Sequence, residues 1–223
     1  MFHEQVWNVS ILIENGVTMK DTADKAFVPG DGDALVIVDV QNDFIPGGAL
    51  AVPEGDQVVV PLNKAIKIFQ TRNLPVFLTR DWHPRKHSSF REFGGPWPPH
   101  CVQDTRGAEF LSDVRVKDSS TIITKGVTFE PDEYSGFQGV DGKGTSLDMC
   151  LKNLGVERIF VGGLATDYCV LNTVLDGLSL NYDVFIITDG IRAVNVKPDD
   201  GDMALKEMTR KGAQLTTTES FGA

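Results

Sequence analysis

The chain has 223 residues, 41% of them hydrophobic, which is enough apolar content to fill a domain core and too much for a disordered polypeptide. Its 21 Lys and Arg against 31 Asp and Glu leave a formal net charge of −10, the wrong sign for a surface that captures a phosphate backbone or anionic lipid. Three cysteines cannot build a disulfide scaffold, and the odd one left over suits a reducing, cytoplasmic compartment.

No apolar run approaches the ~18 residues of a membrane-spanning helix. The first 33 residues hold one short apolar stretch, residues 9–13, broken by Ser10 and flanked by Glu4 and Glu14 without a basic region ahead of it. That pattern is neither a secretion signal nor a transit peptide, and the last four residues carry no recognised address. Residues 1–32 are read as an N-terminal extension of unassigned role and residues 33–223 as one domain. Neither nucleic acid nor membrane is expected as a partner, and function should lie in a small-molecule site.

Residues 34–40 (Ala-Leu-Val-Ile-Val-Asp-Val) are apolar on both faces, as a parallel strand buried between helix layers should be. From about residue 56 to 73, Leu62, Ile66 and Phe69 recur at helical spacing, with Asp56 expected as N-cap and Asn73 as the stop. Residues 74–79 read as a second strand. Residues 80–107 are dense in Pro, Gly, His and Trp with no sustained period, which predicts a long loop of the kind that carries function. A short strand at 121–124 follows. A capping box over 145–148 then opens a helix with Leu147, Leu151 and Leu154 on one side, closed by Gly155. Residues 157–163 form the next buried strand, and Val170, Val174 and Leu178 mark a helix. A strand at 182–188, a helix over 198–211 and a final strand at 214–216 complete the order. Six strands alternating with helices predict an α/β fold: a doubly wound, mostly parallel six-stranded sheet with helices on both faces.

Such a sheet holds its ligand outside the carboxyl ends of its strands. The polar residues expected there are Asp39, Asp81, Lys125, Asp189 and the turn leading to Cys169. Of four histidines in the chain, His83, His87 and His100 fall in the one irregular loop. Asp81, His83 and His100 offer one carboxylate and two imidazoles, a donor set suited to a catalytic divalent metal, zinc first and then iron or manganese. From spacing alone, polar loop histidines with ordinary hydrogen bonds account for the pattern equally well. His87 and Ser89 read as water-mediated partners or simple loop residues, Cys101 as a buried spectator thiol and Cys150 as a core filler.

Cys169 is expected in the first turn of its helix, where unpaired N–H groups and the helix dipole favour a thiolate. Lowering a thiol pKa by two units requires about 2.7 kcal/mol of differential stabilisation. Asp39, at the end of the most apolar strand, is either a turn-former with Asn42 or a general base. A lysine at a strand end, such as Lys125, is by itself ordinarily a surface residue. Cysteine, carboxylate and lysine at one rim, however, make the set needed for nucleophilic acyl transfer.

These residues stand in segments that resemble a known family. The segments are Val38-Asp39-Val40-Gln41-Asn42-Asp43-Phe44, Pro46-Gly47-Gly48-Ala49-Leu50, Asp81-Trp82-His83-Pro84 with His87-Ser88-Ser89-Phe90, Trp97-Pro98-Pro99-His100-Cys101, Lys125-Gly126, and Gly163-Leu164-Ala165-Thr166-Asp167-Tyr168-Cys169-Val170. In this order they resemble the nicotinamidases (pyrazinamidases) of the isochorismatase-like cysteine hydrolase superfamily, over residues 33 to the end. The resemblance implies that superfamily's fold, and a hydrolase that converts nicotinamide to nicotinic acid and ammonia through a thioester in NAD salvage. It implies a triad of Asp39, Lys125 and Cys169, a metal held by Asp81, His83 and His100 with Ser89 assisting, and Phe44 and Trp97 sandwiching the pyridine ring. It also implies a cis peptide before Ala165, whose N–H with that of Cys169 forms an oxyanion hole, and a homo-oligomer. The N-terminal extension departs from the usual pattern.

Two other readings compete. One is an amidohydrolase of the same superfamily acting on a ureido or carbamoyl substrate, against which the two histidines and Trp97 argue. The other is a non-catalytic metal-binding module, which leaves Cys169, Asp39 and Lys125 without a shared purpose. A dinucleotide-binding reductase is disfavoured because no G-x-G-x-x-G follows the first strand.

Overall fold

In the computed structural model, residues 27–115, 117, 119–129 and 133–222 are described. The apolar stretch at residues 9–13, and all of the extension before residue 27, lies outside them. Strand β1 (Asp33–Val38) is buried along its whole length. Leu35 and Ile37 point into one core and Ala34, Val36 and Val38 into another, the two-sided burial its composition predicts. The other strands are β2 (Val76–Asp81), β3 (Thr121–Lys125), β4 (Arg158–Leu164), β5 (Asp183–Arg192) and β6 (Gln214–Thr216). They form one six-stranded sheet in the order β3-β2-β1-β4-β5-β6, and every adjacent pair is parallel.

Helix α1 (Val59–Thr71) covers one face through Leu62, Ile66 and Phe69, packed with Leu35, Leu78 and Phe160. Helices α2 (Leu147–Asn153), α3 (Leu171–Ser179) and α4 (Asp200–Arg210) cover the other through Leu151, Val174 and Met208. Full burial of such side chains contributes about 1.5–3 kcal/mol each. Phe69 is representative: wholly buried, it lies 5.5 Å from the Phe160 ring and 6.2 Å from that of Phe221.

Several boundaries differ from the sequence expectation for identifiable reasons. Asp56 does not cap α1; it lies inside a 3-10 turn (Gly55–Val58), and Val58 precedes the helix without a side-chain cap. Ser146, not Thr145, caps α2 by accepting from the Met149 N–H. Strand β5 runs on to Arg192, past Asp189 and Gly190, because a register shift against β4 absorbs them. Asp189 therefore lies within β5 rather than at its end, its carboxylate accepting from the Thr218 N–H at 3.0 Å.

The chain leaves β1 for β2 and β3 on one side and later returns to β4 on the other, so the strand order reverses between β1 and β4. This is the topological switch point at which open parallel sheets bind ligands. Gly163 permits the close approach of these two strands. Its φ is +122°, and a Cβ there would lie 2.0 Å from the Val38 carbonyl oxygen. Among the described residues no helix is long and apolar enough to cross a membrane.

Candidate active site

Four strand ends bring the candidate reacting groups together. The chain turns sharply at Asp39, one residue past β1, with φ of +47°. Its carboxylate does not form a turn with Asn42, whose side-chain amide instead donates to the carbonyls of Arg106 and Glu109. Asp39 Oδ1 accepts from the Thr79 hydroxyl at 2.6 Å. Lys125, at the end of β3, is not a surface lysine: its ammonium is fully buried, 3.0 Å from Asp39 Oδ2, and also paired with Asp81 Oδ1. The same ammonium lies 3.6 Å from Cys169 Sγ, so Lys125 stands between the carboxylates and the thiol. Asp39, Asp81 and Cys169 each bring one atom within 4.8 Å of the others.

Cys169 sits in a π-helical turn (Thr166–Val170) between β4 and α3, and the Leu164–Ala165 peptide before it is cis. The expected thiolate is not what this environment favours. Burial pushes the Cys169 thiol well up; Lys125 opposes this, but Asp39 and Asp81 add to it. The helix start is outweighed by desolvation and two carboxylates, so the resting sulfur keeps its proton. Burial likewise raises the Asp39 carboxyl against the pull of Lys125. Burial also opposes charge on Lys125, but Asp39 and Asp81 hold its pKa well above the ordinary lysine value. The cluster thus pairs a protonated thiol with a neighbouring carboxylate whose proton affinity has been increased, an arrangement suited to proton transfer between them.

Beside it lies a second group. Asp81 at the end of β2, with His83 and His100 from the irregular loop, places three ligand-type atoms within 4.8 Å of one another. His83 Nδ1 lies 3.0 Å from the Gly126 carbonyl and His100 Nδ1 2.8 Å from the Pro98 carbonyl. A carbonyl only accepts, so both Nδ1 atoms donate, which leaves Nε2 as the ring atom each histidine can offer to a metal. Burial lowers the His100 pKa, which keeps that ring neutral. Asp81 divides its oxygens, Oδ1 to Lys125 and Oδ2 toward His83 Nε2 at 3.6 Å. Burial would raise its pKa, but Lys125, His83 and His100 outweigh it and hold the carboxyl well below the usual range. One carboxylate and two imidazoles on a cavity wall fit a divalent transition metal.

Ser89 lies beside that group. Its hydroxyl is 2.7 Å from His87 Nδ1, and the His87 ring stacks on His83 at 4.1 Å, which links Ser89 to His83 through His87. Phe44 and Trp97 line the same cavity as Asp81, His83, His100, Ala165 and Cys169.

Sequence reasoning missed several participants. Tyr134 accepts from the Trp97 indole N–H at 3.0 Å and, with Tyr168 and Glu133, lines the cavity. Tyr168 precedes the cysteine and was in plain view, whereas Tyr134 follows a stretch with no periodic signal. Gln41 clasps the backbone of Asp81, accepting from its N–H and donating to its carbonyl, both at 2.8 Å.

The isochorismatase domain family matches residues 33–220 of the chain. The nicotinamidase of Escherichia coli K12 is 43% identical over 201 residues, 82% of this chain and 94% of that protein. The pyrazinamidase of Pyrococcus horikoshii, solved in complex with zinc, is 43% identical with a TM-score of 0.77, covering 83% of this chain and 99% of that one. PnC1 of L. infantum, solved in complex with nicotinate, is 34% identical with a TM-score of 0.79, covering 89% of this chain and 99% of that one. By its sequence and by the sheet that carries its site, the chain belongs to the isochorismatase domain family.

Proposed function

We propose that the chain is a nicotinamidase, a cysteine amidohydrolase that converts nicotinamide to nicotinic acid and ammonia. The observation that carries this reading is the meeting of Cys169, Asp39 and Lys125 beside Asp81, His83 and His100 on one aromatic-walled cavity. The relatives named above act on or bind pyridine or pyrazine carboxamides or their acid, and they support the same substrate class.

In this reading Asp39 takes the Cys169 proton as the sulfur attacks the carboxamide carbon. The C–S bond forms while the carbonyl electrons move onto oxygen, where the backbone N–H groups of Ala165 and Cys169 stabilise the oxyanion; donors of this type contribute about 2.7–4 kcal/mol each. Asp39 then returns the proton to the departing nitrogen, the C–N bond breaks, and ammonia leaves a thioester. Asp39 next takes a proton from a water that attacks the thioester carbon; nicotinic acid is released and the thiol is restored. Lys125 keeps Asp39 ionised between these transfers. Phe44 and Trp97 hold the ring so that the carboxamide faces the sulfur. Asp81, His83 and His100 would hold a divalent metal, zinc first, which supplies a Lewis-acidic docking point for the ring nitrogen, with Ser89 supporting them through His87.

Ammonia release from nicotinamide, compared with small linear ureido and carbamoyl amides, tests the substrate, and Cys169→Ala tests the covalent step. Turnover of nicotinamide that disappears in the Cys169→Ala chain is expected. A preference for the linear amides, or substantial turnover without the sulfur, refutes the reading.

A further inference from the structure

Lys125 of the proposed triad and His83 of the proposed metal group are joined by one short piece of backbone. The carbonyl of Lys125 accepts from the Trp82 N–H at 3.0 Å, between the two ligand positions Asp81 and His83. One residue later, the Gly126 carbonyl accepts from His83 Nδ1–H at 3.0 Å. The His83 ring lies directly on this turn: a Cβ on Gly126, whose φ is +64°, would come within 2.4 Å of His83 Cε1 and 2.5 Å of its Nδ1. The position of the ring, and hence the aim of its Nε2, therefore depends on how the Lys125–Gly126 peptide is held.

That peptide has one further polar atom, the Gly126 N–H, and it donates to Glu133 Oε2 at 2.5 Å. Glu133 is half-buried and lines the cavity, yet it belongs to neither the triad nor the metal group. An ionised carboxylate is a stronger acceptor for a backbone N–H than a neutral group, and groups that orient a metal-ligating histidine typically contribute 10–100-fold to metal affinity.

We infer that Glu133 is a positioning residue: by accepting from the Gly126 N–H it fixes the turn whose carbonyl orients His83, and so tunes the affinity of the Asp81, His83 and His100 group for a divalent cation. The inference rests on the metal assignment under the proposed function but not on the substrate, and its first readout requires no turnover.

The test measures zinc affinity by competition with a chromophoric chelator for the full chain and for Glu133→Ala and Glu133→Gln. Glu133→Leu stands in should the alanine chain fail to fold. A loss of fivefold or more in the alanine chain, with the glutamine chain closer to the parent than to alanine, is the expected result, because the glutamine carbonyl can still accept from Gly126. A smaller loss in the alanine chain overturns the inference. So does a glutamine chain as weak as alanine, which would assign the effect to net charge near the cation. Should the parent chain bind no zinc, the metal assignment itself fails, an outcome distinct from parent binding that is insensitive to Glu133. In the activity arm, KM for nicotinamide rises in the alanine chain and recovers in glutamine. A uniform fall in kcat without that recovery counts against it.

Discussion

Replacing Lys125 by Met removes a buried cation while keeping most of the side-chain volume. Its ammonium is 3.0 Å from Asp39 Oδ2, and at an effective dielectric of about 20 this pair is attracted by roughly 332/(20 × 3.0), or about 5.5 kcal/mol. At 1.36 kcal/mol per pKa unit that corresponds to an upper bound of about 4 units. Opposite charges in such contact ordinarily shift a carboxyl by about 1–3, and we expect about 2. The sign follows from the role of Asp39. Its pKa already lies above the ordinary value because burial exceeds the help from Lys125, and removing that help raises it further. The proposed mechanism needs the ionised carboxylate, so on that reading activity falls as pH drops through this pKa. The acid limb of kcat/KM in Lys125→Met should therefore move up by about 2 pH units, with partial recovery toward alkaline pH. The assay is ammonia release from nicotinamide between about pH 5 and pH 9 in parent and variant, read as kcat/KM, which reports the free enzyme's groups. A variant profile merely scaled down, with its acid limb where the parent has it, would refute the claim that Lys125 sets the ionisation of Asp39.

Other outcomes can be checked separately. Trp97→Ala should raise KM about 10- to 30-fold with kcat little changed, since an aromatic wall binds substrate and transition state alike; a selective fall in kcat would argue against a holding role. Dialysis against a chelator should raise KM for nicotinamide, with recovery on adding zinc; full affinity in protein shown to be metal-free would remove the ring-docking assignment. Phe69→Ala should cost about 3–5 kcal/mol in urea unfolding by leaving a cavity between α1 and the sheet, and a loss below about 1 kcal/mol would mean that the helix collapses into the gap. Gly163→Ala must separate β1 from β4, because the obstacle is the Val38 backbone. The two strands carry Asp39 and Cys169 just beyond their ends, so a loss of kcat of about 100-fold is expected from a misplacement near 1 Å.

The sheet was readable because its strands announce themselves: residues 34–40 are apolar on both faces, and the order of strands and helices leaves few topologies. The histidine cluster was readable for a similar reason, three of four histidines in one irregular stretch. Protonation states were not. The expectation for Cys169 weighed a helix terminus that sequence can locate, but the larger effects are burial and the carboxylates of Asp39 and Asp81, which arrive from other strands. Lys125 shows the same limit, since a strand-end lysine looks exposed until two carboxylates from β1 and β2 are found facing it. Gln41 and Glu133 escaped because they act through backbone groups of residues about 40 and 7 positions away, and no spacing rule marks such partners.

Residues 39, 81, 125 and 169 come from the ends of four separate strands, each far from the next along the chain. Pairings of such long range are among the slowest to form in a folding protein, because their loop-closure cost must be met before any contact repays it. A truncated chain that stops before β4 holds three of the four groups and lacks the nucleophile. During refolding, helical signal should therefore return first, and hydrolysis only when the last neighbour has docked beside β1, making the enzyme's own turnover a clock for completion of the sheet.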